Sequence, residues 1–281
     1  YSRAARDLAQ QINRKKNQLR ALLRAYCPPL CKVFPGGKLH HPAVYALLQE
    51  NLFPDEFVQA GAEVLSTTLV THCRDAFGWA QAQQLVEASR QALSRPIGRD
   101  AIRHLVHAHT QDITTFQQRK AFYLKTGYAL IQDRQETELL RTVKGAGVSN
   151  TLALVSEIGD VQRFPSGEHL ASFLGLTTSK HISGATLFQA KRITKQGSPN
   201  GRYAAVNVAQ HLTRYVPRYQ AMYQRIKDRK PPRKGHFIAL VAVARDFVTN
   251  VLYDIWRHQR PFFLEVSDYR DYRRKNRPTV G

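Results

Sequence analysis

Ser183 stands two residues after His181 and directly before Gly184, in a stretch that reads K-H-I-S-G-A-T-L-F-Q-A-K-R-I-T-K-Q-G-S from Lys180 to Ser198. A serine in that setting can be a nucleophile, a phosphate ligand or the start of a turn. As a nucleophile it needs a base or a metal, because its hydroxyl attacks poorly at neutral pH. His181 is nearest in sequence, yet it points the same way as Ser183 only in a strand and elsewhere in a helix, so it is not assigned as the base. The residues that follow are cationic. Between Lys191 and Lys234 there are twelve Lys or Arg against one acid, Asp228, and the strip includes Arg192, Lys195, Arg202, Arg229, Lys230 and Arg233, with Thr194 beside Lys195. Tyr203, Tyr215, Tyr219 and Tyr223 are interleaved with it. Cations for phosphates and rings for unstacked bases are the combination that single-stranded or looped nucleic acid uses. The alternative is a solvated face with its tyrosines packed inward.

Three other constellations carry possible chemistry. Lys144-Gly145-Ala146-Gly147 forms a glycine-bearing turn before a run of small and aliphatic residues. Such a turn either points its amides at a phosphate with Lys144 as the cation, or simply joins two helices. Cys27 and Cys31 frame C-P-P-L-C without a second Cys or His pair to complete a zinc site, which leaves them as structural thiols. His104 and His107 share a helical face, but no third ligand lies near them in sequence, so they read as ordinary helix histidines and no metal-binding residue is assigned.

Composition narrows the partner. The chain has 281 residues, 43% of them hydrophobic, enough to bury a core in one large or two modest domains. Forty-two Lys and Arg against 21 Asp and Glu give a net charge of +21. A surplus of that size fits a polyphosphate, whose condensed counterions are released when cations neutralise it. No apolar run approaches the roughly 18 residues of a membrane span, and no signal segment opens the sequence, so a cytoplasmic, nucleoid-associated place and no membrane partner are expected.

The elements that must position these residues are helical. Residues 3 to 26 predict one long helix, apolar at Leu8, Ile12, Leu19, Leu22 and Leu23 and basic on the other side, ended by Pro28 and Pro29. A helical insert over 34–95 follows, with helices at 42–51, 55–61 and 78–94. From Arg99 to about Leu140 a second long helix is expected, with Gly127 as a point of interruption. The fold class is mainly α: a long antiparallel coiled-coil stem (1–30 and 99–138, within a region 1–138) carrying the insert, then a compact helical domain over 139–281. The apolar stretch from 236 to 262 is expected to form the helix against which the basic elements pack. Apolar rows on the stem predict a homodimer, with an intramolecular hairpin as the alternative that would cover them.

The order K-G-A-G, EIGDVQRFPSGEHLASFLGL, Ser183-Gly184, RITKQGSPNGR (192–202) and ALVAVARDFVTNVLY (239–253) resembles the C-terminal half of the bridge-RNA-guided insertion-sequence transposases. ARDLAQQINRKKNQLRALLRAY is similar to the basic helix that follows their RuvC-like domain. The resemblance implies that Ser183 is the nucleophile that joins to DNA, and that four acidic residues of a RuvC-like domain hold Mg2+. No acidic tetrad matches here, so those residues are expected upstream of Tyr1, and Mg2+ only with them. Lys144 stands where the family has a proline, Thr194 where it prefers serine, and Asn200-Gly201-Arg202 replaces a more aliphatic helix start. The stretch from Ser179 to Gln189 also resembles the signature of Nop domains, and the tandem-interspaced-guide-RNA-associated proteins are similar to both groups. Two functions follow. In the first, the chain binds a structured guide RNA and uses it to recognise target DNA, through Lys144, Gly145, Gly147, Lys180, His181, Ser183, Lys191, Arg192, Thr194, Lys195, Arg202, Arg229, Lys230, Arg233 and Lys234. In the alternative it is a bridge-RNA-guided DNA recombinase with Ser183 as nucleophile.

Overall fold

The structure, a computed structural model, describes residues 1–73, 76–93, 98–183 and 186–262; for 179–183, 186–192 and 232–233 it describes the backbone alone. The chain is mainly helical and divides into two compact units, one of Asp7–Ala121 and one joining Tyr1–Arg6 to the residues from Phe122 onward.

In the first of these, α1 (Ser2–Tyr26) buries Leu8, Ile12, Leu19 and Leu23 along one face, and Pro28 follows its end. Then come α2 (Pro28–Val33), a 3-10 turn at Gly36–His40, α3 (Pro42–Glu50), α4 (Pro54–His72), α5 (Trp79–Arg90) and α6 (Arg99–Ala129). Phe34, Leu47, Leu48, Phe53 and Phe57 form the centre of this core with Val106 and Ile113 of α6. Glu56 closes the start of α4 by accepting from the amides of Leu52 (2.8 Å) and Phe53 (3.2 Å), and it also pairs with Arg99 and Arg103. The cysteines are free thiols; Cys27 lies wholly inside, where burial pushes its pKa up to about 12. His107 hydrogen-bonds the Leu48 carbonyl at 3.0 Å, and His104 is exposed.

The helix expected over 55–61 is the first part of α4, which Gly61 breaks with φ 72° and ψ 165° before the element continues to His72. One expectation is corrected here. The long helix expected to reach Leu140 stops at Ala129, where a tight turn carries Ile131 into the core of the other unit. Gly127 does not interrupt it. A Cβ there would lie 2.8 Å from Leu152 Cδ2 and from Tyr1 Cβ, so this glycine serves close packing.

The second unit continues with α7 (Gln135–Arg141), α8 (Val148–Ile158), a 3-10 turn at Val161–Arg163 and α9 (Gly167–Phe173). A two-stranded antiparallel hairpin, β1 (Thr178–Ser183) and β2 (Thr186–Ile193), is followed by α10 (Pro199–Tyr215), α11 (Pro217–Asp228) and α12 (Pro232–Asp246), a π-helical turn (Phe247–Leu252) and α13 (Tyr253–Arg257). Its core gathers Leu152, Leu154, Ile158, Leu170, Leu174, Val208, Leu212, Val243, Phe247 and Trp256. The apolar helix expected over 236–262 thus begins at Pro232, turns π-helical after Asp246 and ends at Arg257. No described helix is long and apolar enough to cross a membrane.

Candidate nucleic-acid interface

The loop from Thr194 to Ser198 connects the hairpin to α10, and its shape is set by one close approach. The Ser198 amide donates to the Phe173 carbonyl at 3.0 Å, and a Cβ at Gly197, which has φ 109°, would come within 2.0 Å of that carbonyl oxygen. Only glycine fits. Lys195, two residues earlier, also has positive φ, 57°, and its side chain is exposed.

Ser198 then caps α10: its Oγ accepts from the Gly201 amide at 3.0 Å and donates to Glu157 Oε2 at 2.9 Å. Asn200 Nδ2 donates to Glu157 Oε1 (3.2 Å) and to Ser2 Oγ (2.8 Å). Arg3 completes the set with a two-pronged pair to the same carboxylate, at 2.7 and 2.8 Å. Glu157 is 6% exposed, and the Arg3 hydrogen bonds hold its pKa down to about 2 against the opposing effect of burial, with help from Ser198 and Asn200. The end of α8 and the start of α10 are thereby tied to the first turn of α1. Arg202, half-buried, donates through one terminal nitrogen to the Leu174 carbonyl (3.1 Å) and the Lys195 carbonyl (3.2 Å), bracing the loop from behind. Burial and the neighbouring Arg6 both press its pKa below the usual arginine value.

The K-G-A-G turn lies between α7 and α8. Gly145 has φ 93°, and a Cβ there would lie 2.4 Å from His211 Cβ on α10, so the glycine lets the turn pack on that helix. The Gly145 carbonyl accepts from Asn150 Nδ2 at 2.9 Å and the Ala146 carbonyl from Thr151 Oγ1 at 2.8 Å. Lys144 is exposed, and Gly147 is the N-cap of α8.

Ser183 is the last residue of β1 and pairs with Thr186, the first of β2, which puts it at the end of the hairpin. His181 pairs with Phe188 and Lys180 with Gln189, and the register breaks between Thr178 and Lys180. The side chains of Lys180, His181, Ser183, Lys191, Arg192 and Arg233 lie outside the described residues, as does Gly184 altogether. Arg229, Lys230 and Lys234 are exposed at the corner between α11 and α12, a second basic position apart in sequence from the Thr194–Arg202 loop.

The four interleaved tyrosines divide. Tyr219 is fully buried and accepts from Arg218 at 2.7 Å, while Tyr223 is partly buried and bonds His236 Nδ1 at 2.6 Å. Tyr203 and Tyr215 remain outside, 51% and 60% exposed. Of the four, one is therefore core and a second packs against it. Sequence reasoning missed Glu157, Ser198, Asn200 and the arginines of the first turn. The serine-proline start of α10 was a readable cap signal, whereas a partner 154 residues away leaves none.

Among the described residues no group of three or more His, Cys, Asp or Glu side chains could hold a metal ion. The Mg2+ expected with a RuvC-like domain finds no ligand set in them.

A mainly helical basic unit with a serine-ended hairpin and a braced, cationic loop is what these elements define. Residues 137–224, which span the K-G-A-G turn, Glu157, the hairpin and all of α10, match the family described as the transposase IS116/IS110/IS902 family. The chain is 27% identical to an uncharacterised 43.6 kDa protein of insertion element IS110 from Streptomyces coelicolor, over 86% of this chain and 58% of that protein. It is 31% identical to pilin gene-inverting proteins of Moraxella bovis and Moraxella lacunata, over 46% of this chain and 39% of each. The chain thus spans between about two fifths and three fifths of the length of these curated relatives.

Proposed function

We propose that this chain carries the strand-joining half of a DNA recombinase, with Ser183 as the nucleophile and a structured guide RNA selecting the DNA. The observation that carries the reading is the family match over 137–224, which encloses Ser183 and the loop braced by Arg202 and Glu157. Similarity to an insertion-element protein and to gene-inverting proteins favours strand exchange over guide-directed binding alone, which reverses the order suggested by the sequence. In the reaction, Ser183 Oγ forms a bond to a DNA phosphorus, the phosphodiester bond to the neighbouring nucleotide breaks, and the serine proton ends on the departing oxygen as a hydroxyl. Lys195 would neutralise phosphate beside the hairpin. The finer stem-and-Nop-like architecture, the homodimer, and Mg2+ held by a RuvC-like domain outside this chain belong to the same reading.

The test uses a protein that contains this chain at its natural length. Incubation with donor and target DNA is expected to give a covalent protein–DNA adduct on a denaturing gel. Ser183→Ala should abolish the adduct, and His181→Ala should retain it. An adduct that survives Ser183→Ala overturns the nucleophile. Protein that carries no RNA from cells, and captures a fixed duplex without it, overturns the guide.

A further inference from the structure

The outward ridge of α10 presents Tyr203, Asn207, His211 and Tyr215 at four-residue steps. On a helix such residues form an inclined ridge that winds slowly round the axis, about 6 Å apart along it. The two tyrosines and His211 are exposed, and His211 and Tyr215 lie nearly parallel, 8° apart in plane with centroids at 6.5 Å. Asn207 sits between the rings, part-buried, with Asn150 at 3.5 Å. Cations flank the ridge. The Arg6 guanidinium lies 4.9 Å from the Tyr203 ring centroid, and Lys144 adjoins the glycine that backs onto His211. No acidic residue occurs anywhere in α10.

We propose that this ridge is a track for single-stranded nucleic acid, with bases stacked on Tyr203 and on the His211–Tyr215 pair, Asn207 hydrogen-bonding a base edge, and Arg6 and Lys144 meeting phosphates. The step of about 6 Å is nearly twice the roughly 3.4 Å per nucleotide of a duplex strand, so the spacing suits a strand already pulled out of its stack. Exposure decides which of the four tyrosines take part: Tyr219 is buried and Tyr223 is partly buried and bonded to His236, whereas Tyr203 and Tyr215 are exposed. The inference deepens the recombinase reading, since unpaired strand arises both in a guide RNA and in DNA opened for exchange.

The experiment is a fluorescence-anisotropy titration of the full chain with a labelled oligouridylate, an oligothymidylate of equal length and a duplex. The double variant Tyr203→Ala/Tyr215→Ala is expected to weaken single-strand binding by about 10-fold or more and duplex binding by less than about 2-fold. Tyr203→Phe/Tyr215→Phe should bind like the parent, because stacking uses the ring face. Arg6→Ala should lower the salt slope by about one unit. Whichever oligonucleotide loses more on the Ala exchange identifies the strand served. Single-strand affinity unchanged in the Ala variant, or an equal loss on duplex, overturns the proposal; circular dichroism on each variant keeps misfolding separate. The ridge variants are also run in the covalent-adduct assay, which reads the chemistry separately from strand binding. Lost joining with an intact ridge response, or the reverse, tells failure of the chemistry from failure of the track.

Discussion

Glu157 has two carboxylate oxygens and four donors aimed at them, from Arg3, Ser198 and Asn200. Its pKa of about 2 in the folded chain lies below the ordinary carboxylate value of 4.5, so the folded state holds this proton more weakly than the unfolded state does. The stabilisation is therefore fully present above about pH 4.5 and drains away as pH falls towards 2. Glu157→Gln is expected to cost on the order of 2 kcal/mol at pH 7 and to flatten the stability profile across that acid window, read by urea denaturation at a series of pH values. Glu157 was visible in the sequence as the start of the E-I-G-D block, but nothing near it showed what it does. Its chief partner, Arg3, lies in another part of the chain, and pairwise sequence spacing says nothing about contacts at that range.

At the scale of elements, α10 organises the basic unit: it packs on α8 and α12, carries the cap that reaches Glu157 and supports the loop that follows the hairpin. Ser198→Ala removes the side chain that accepts from the Gly201 amide and should cost about 1 kcal/mol in thermal or urea unfolding. Because Ser198 also donates to Glu157, its loss and that of Glu157→Gln should add to less than their sum. Additive losses would mean that cap and carboxylate act independently. Several helices were legible from proline positions and apolar spacing, as α1 and α3 show. The hairpin was not. Its β1 is too short for alternation to stand out, and the basic run that follows masked the pattern of β2, whose T-L-F-Q-A begins with strand-forming residues. The end of α6 at Ala129 was equally hidden, since a tertiary demand for Ile131 in the core overrode a proline-free, helix-compatible sequence.

For the molecule as a whole, a net charge of +21 makes binding to any nucleic acid salt-dependent. The logarithm of the association constant should fall against the logarithm of salt with a slope of about −4 or steeper for duplex DNA, as measured by titration between low and moderate salt. A slope near zero would remove the polyanion as partner. Composition alone supplied that expectation, but not which cations are at liberty: Arg3, Lys15, Arg99, Arg103, Arg245 and Arg260 are engaged by carboxylates, while Lys195 and Lys144 stand exposed. The unit that contains Glu157 recruits Tyr1–Arg6 from the opposite side of a long intervening stretch, and Arg3 precedes its carboxylate by 154 positions. At the roughly 5–20 residues per second of a translating ribosome, that arginine waits about 8–30 s before its counterpart has even been made. The joining of these first residues to the rest of their unit is therefore set by the pace of translation.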